Sequence, residues 1–74
     1  MKIKKLLSVW KISSEDGVEL GQTTAVLPKT AFMLWHKVPP KMLEAVQVTL
    51  QRDGTYRVVY DRKIFVLRPE KFEP

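Results

Sequence analysis

The chain contains no cysteine. Disulfide bracing and thiolate metal centres are therefore excluded. It contains one histidine, His36, beside Trp35, so no second imidazole exists to share a metal or a proton relay. Three glycines are present, none in a G-x-G-x-x-G or P-loop spacing, and no phosphate cradle is encoded. Ser8, Ser13 and Ser14 lack a G-x-S-x-G context. No apolar run approaches the roughly 20 residues that span a bilayer. Pro39-Pro40 lacks a P-x-x-P pattern and reads as a rigid turn. The expectation is a non-enzymatic, cytoplasmic protein with no catalytic residues, metal, cofactor, small-molecule substrate or membrane partner.

What remains is a short basic chain rich in apolar residues. Seventy-four residues allow one small domain. A domain this size buries only about 60% of the surface its unfolded chain exposes. Packing or a partner subunit must supply what disulfides do not. Thirteen Lys and Arg stand against eight Asp and Glu, a net charge of +5. The charges come in blocks. Lys2, Lys4, Lys5 and Lys11 lead; Glu15, Asp16 and Glu19 follow; Lys29, Lys37 and Lys41 come next. The opening "MKIKKLLSVWKI" has a basic start, but Ser8 and Lys11 break its apolar run. It reads as a strand rather than a signal peptide.

The clearest pattern is "VQVTLQRDGTYRVVY", residues 46–60. Val46, Val48 and Leu50 alternate with polar residues, as do Tyr56, Val58 and Tyr60. A two-residue Asp53-Gly54 turn would pair Leu50 with Arg57 and Val46 with Asp61. A three-residue loop, Arg52-Asp53-Gly54, with Gly54 left-handed, instead pairs Leu50 with Tyr56, Val48 with Val58 and Val46 with Tyr60. The second register gives one wholly apolar face and is the one expected. Asp61-Arg62 then connects to a third strand, "KIFVLRP", pairing Val58 with Phe65 and Tyr56 with Leu67. Pro69 is expected to end the pairing. The opposite face collects Arg57, Val59, Ile64, Val66 and Arg68.

The first half repeats this grammar. Glu15-Asp16-Gly17 is expected to form the same bulged loop, with Ser14 facing Val18 and Ile12 facing Leu20. The middle, residues 27–45, is punctuated by Pro28 and Pro39-Pro40. "KTAFMLWHK" is assigned to a short helix with Thr30 as N-cap, a buried strand being the alternative. Pro40 can open a further turn at N1.

The expected fold is mainly β with one or two short helices: a twisted antiparallel sheet, or a partly open five-stranded barrel of SH3-like or OB-like type. The expected organisation is one domain, 1–74, with an N-terminal hairpin (1–26), the middle segment (27–45), a three-stranded meander (46–69) and a tail (70–74). Phe72 is expected to tuck back onto the domain. Two functions suit this chain. One is sequence-independent DNA or RNA binding through Lys2, Lys4, Lys5, Lys11, Lys37, Arg57 and Arg68. The other is protein interaction or homo-oligomerisation through Arg57, Val59, Ile64, Val66 and Arg68. Gly17, Asp53 and Gly54 are expected to be structural turn residues.

Overall fold

The computed structural model describes residues 7–70. Strands β1 (Ser8–Ser14) and β2 (Glu19–Ala25) form a hairpin. Helix α1 (Pro28–His36) and a 3₁₀ turn (Pro40–Ala45) follow. Strands β3 (Gln47–Leu50), β4 (Tyr56–Tyr60) and β5 (Lys63–Glu70) form a meander. All five strands belong to one antiparallel sheet in the order β2-β1-β5-β4-β3. First and last strands meet at its centre, and β2 and β3 are its two edges. The sheet is open, so the barrel alternative is not realised.

The meander has the expected register. Leu50 pairs with Tyr56 and Val48 with Val58. Gly54 sits at φ 89° and donates its N–H to the Gln51 carbonyl, 3.1 Å, while the Gln51 N–H reaches the Thr55 carbonyl, 2.8 Å. Val46 is buried but stands outside the ladder, because its N–H closes the 3₁₀ turn on Leu43 at 3.2 Å. Asp61 and Arg62 turn the next corner at φ 52° and 64°, the left-handed pair of a type I′ turn, without a glycine. Val58 faces Phe65 and Tyr56 faces Leu67, as expected.

Four local expectations are corrected. The Glu15-Asp16-Gly17 loop forms, with Ser14 N–H on the Val18 carbonyl at 2.8 Å. Beyond it, however, Ile12 pairs with Gly21, not Leu20, because a bulge takes up the extra residue. That bulge sets a residue without a side chain beneath Trp35. Residues 28–36 are helix, with Leu27 as N-cap and Pro28 at N1. Proline suits N1, where its absent N–H has no partner to lose, so Thr30 lies inside the first turn. Pairing does not stop at Pro69, which stands opposite Trp10, with Glu70 opposite Val9. Leu50 faces the core side but is 62% exposed, since it ends a short edge strand.

The core lies between α1 and one sheet face. Ile12, Phe32, Val58 and Leu67 are its most deeply buried side chains. Phe32 inserts between Phe65 and Tyr60, with ring centroids 4.9 and 5.9 Å away. Trp10 packs edge-on to Tyr56 and donates its indole N–H to the Ala25 carbonyl at 3.0 Å. Helix α1 ends at Lys37, φ 58°, and the Val38 N–H returns to the Met33 carbonyl at 3.1 Å. Val38 is thereby drawn into the core. No helix among the described residues is long and apolar enough to cross a membrane. Phe72 lies outside the described residues.

Candidate functional site

Alternation in the central strands divides the sheet in two. Trp10, Ile12, Val58, Phe65 and Leu67 point toward α1. The intervening residues point the other way, onto a face on which α1 does not pack. There Val66 lies between Ser13 and Arg57, Ile64 pairs with Val59, and Arg68 pairs with Lys11. Arg57, Val59, Ile64, Val66 and Arg68 therefore do form one contiguous group. Val59, Ile64 and Val66 are half-buried by their neighbours, and both arginines are exposed.

Two shallow depressions, of about 380 and 370 Å³, open on this face. Val66 and Arg68 line both. Lys11 and Glu70 complete the first, and Asp53, Thr55 and Arg57 the second. Glu15 lines both from the β1–β2 loop. The face is thus apolar at its centre and ringed by charges of both signs.

Part of this ring is engaged within the chain. Lys11 Nζ lies 3.1 Å from Glu70 Oε1, and that hydrogen-bonded carboxylate holds the Lys11 ammonium above its ordinary value of 10.5. Asp53 Oδ1 accepts from the Thr55 hydroxyl at 2.6 Å and the Thr55 N–H at 3.0 Å. Those bonds, the hydroxyl's first, hold its carboxyl below 3.8, with Arg68 adding a smaller attraction. Gln51 Nε2 donates to Thr55 Oγ1 at 2.9 Å. Thr55 is in consequence buried, although turn chemistry alone would leave it exposed.

The residues expected to contact nucleic acid are divided by the fold. Lys11, Arg57 and Arg68 share the helix-free face. Lys37 caps α1 on the other side of the sheet. Lys2, Lys4 and Lys5 lie outside the described residues. The aromatic rings are committed to packing: Trp10, Phe32 and Phe65 are buried, and Tyr56 and Tyr60 pack against the core.

His36 belongs to an aromatic cluster, stacked on Phe32 at 5.2 Å and edge-on to Tyr60 at 5.3 Å. Beside it a cleft of about 880 Å³ opens between α1 and the β1–β2 loop, with Trp35, Glu15, Asp16 and Lys63 at its walls. The Ser14 hydroxyl is bonded to the Asp16 carboxylate, and the Val18 N–H donates to Ser14 Oγ at 3.1 Å. Both Ser14 and Asp16 are therefore engaged in holding the loop. Among the described residues no three His, Cys, Asp or Glu side chains converge as metal ligands.

Sequence parity places the five residues of the expected interface on one face, and the hairpin register sets Gln47 and Thr49 beside Val59 and Arg57, as found. It misses Val9, which only the pairing of β1 with β5 brings to the same face. No protein-family model, curated protein or solved structure matches the chain.

Proposed function

We propose that this chain is a non-enzymatic protein-interaction module. Its binding surface is the helix-free sheet face, centred on Val59, Ile64 and Val66 and flanked by Arg57 and Arg68. The observation that carries this reading is the combination of an apolar centre with a rim of both charge signs on one sheet face. A protein partner of similar character meets all of it, as aligned sheets and broad interfaces do. A nucleic-acid backbone meets only the cations, and of these Lys11 is held by Glu70. The net charge of +5, with Lys2, Lys4 and Lys5 in its leading block, favours sequence-independent nucleic-acid binding as a second reading.

The test compares wild type with Val66→Asp, both shown folded by circular dichroism. Proteins captured from the native source on each are identified, and the strongest is purified and titrated. Loss of at least tenfold in affinity on Val66→Asp is expected, since a buried charge at an interface centre is poorly tolerated. A partner that binds both equally sinks the reading. Binding of a single-stranded oligonucleotide that falls steeply with salt and ignores Val66→Asp favours the second reading instead.

A further inference from the structure

We propose that the chain forms a two-fold homodimer by antiparallel pairing of its β2 edges, with the outer stripe of α1 closing over the seam. This goes beyond the interaction face and does not rest on it. Strand β2 bonds only to β1, so its outer row of N–H and C=O groups is unpaired among the described residues. Edge strands are ordinarily guarded by Lys, Pro or short length. The other edge, β3, has four residues and follows directly on the 3₁₀ turn. β2 has seven, and Gly21 to Ala25 carries neither a charge nor a proline.

Beside this edge lies a groove of about 650 Å³ lined by Leu7, Val26, Leu27, Thr30 and Leu34. Leu27, Thr30 and Leu34 fall at i, i+3 and i+7, one face of α1 and its N-cap. Leu27 and Leu34 are each 59% exposed.

A second copy fits both features at once. Centring the pair on Thr23 sets Thr23 against Thr23 and Gln22 against Thr24, with no like charges opposed. It brings Leu20 toward Val26 of the second copy, and both are exposed in the single chain. Because α1 docks with Trp35 over Gly21 and starts just beyond Ala25, it runs back along β2. Two-fold symmetry then carries Leu27 of one copy toward Leu34 of the other, twice. The two helix-free faces merge into one ten-stranded surface.

Sedimentation tests this directly on the full chain. Wild type is expected at twice 8.6 kDa, with a melting temperature that rises with protein concentration. Leu27→Glu and Leu34→Lys each place a charge against leucine and are expected to give folded monomers. These substitutions suit their positions in the helix, acid at its start and base near its end. The double variant is expected to recover the dimer at low salt and lose it at high salt. A wild type that stays at 8.6 kDa to about 1 mM overturns the proposal, since specific interfaces bind more tightly than that. So does a dimer that survives both single substitutions, or one that only Val66→Asp dissociates.

Discussion

Replacing Gly21 with alanine tests how α1 docks on the sheet. Gly21 is not in a left-handed conformation, so the backbone itself admits alanine. The obstacle is space. A Cβ at this position would lie 2.5 Å from Trp35 Nε1 and 3.2 Å from Trp35 Cδ1. Retreat of the indole toward the cleft it borders would break its contacts with the neighbouring rings. Its ring is 6.1 Å from Phe32, 5.8 Å from Phe65 and 5.8 Å from His36, centroid to centroid. Overpacking of this kind costs about 1–3 kcal/mol. Glycine-to-alanine replacement restricts the unfolded chain and returns about 0.4–1 kcal/mol. The net expectation is a loss of about 1–2 kcal/mol.

Urea unfolding followed by tryptophan fluorescence measures it. With a slope near 1 kcal/mol/M for a domain this small, the midpoint falls by about 1–2 M. The cause is separable by repeating Gly21→Ala in a Trp35→Leu background. If the indole is the obstacle, the cost disappears there and the substitution stabilises by about 0.4–1 kcal/mol, so the two sites couple strongly. A Gly21→Ala variant as stable as wild type, or more so, refutes the account of the bulge.

The other predictions concern turns. Gly54→Ala is expected to cost about 1 kcal/mol in the same assay, from its positive φ alone, because nothing lies within 4 Å of the added Cβ. Replacing Asp61-Arg62 with Asn-Gly is expected to raise stability by about 0.5–1 kcal/mol, since those residues adopt the left-handed pair readily. Asp53→Asn is expected to flatten the acid limb of stability against pH. The Asp53 carboxyl is held below 3.8 in the fold, so its contribution is present above that value and disappears as pH falls through the lowered one. Wild type and variant are compared by thermal melts from about pH 5 to 2, the window for such a carboxylate. Equal slopes would remove Thr55 as the cause.

The meander was legible because its information is local. Alternating side chains set the face, and the Gln51-to-Thr55 loop has one chemically sensible register. Where the reading failed, the deciding neighbour was distant in sequence. The β2 bulge answers Trp35, fourteen residues beyond Gly21 in the chain. Pro69 stays in the sheet because β1 lies beside it, and no pattern near residue 69 announces β1. Pro28 reads locally as an interruption and so points to Thr30 as the cap, whereas in the fold it opens the helix at N1 behind Leu27. The candidate site divides in the same way. Which residues share a face follows from parity, but whether that face is covered depends on which side α1 takes.

That side is decided by supply. One helix of nine residues is about 13.5 Å long, while five strands span about 19 Å. Among the described residues α1 covers one face in part and does not reach the other. A chain that folded only for its own sake would then place polar β-formers on the uncovered face, as it does at Gln22, Thr24, Gln47 and Thr49. Threonine fills a pleated position as well as valine does and leaves less apolar surface in water. Val59, Ile64 and Val66 depart from that practice at the middle of the sheet, between Arg57 and Arg68. β-propensity accounts for branched residues there, but not for the choice of the apolar ones. The protein partner proposed for this face would account for both by burying its apolar centre.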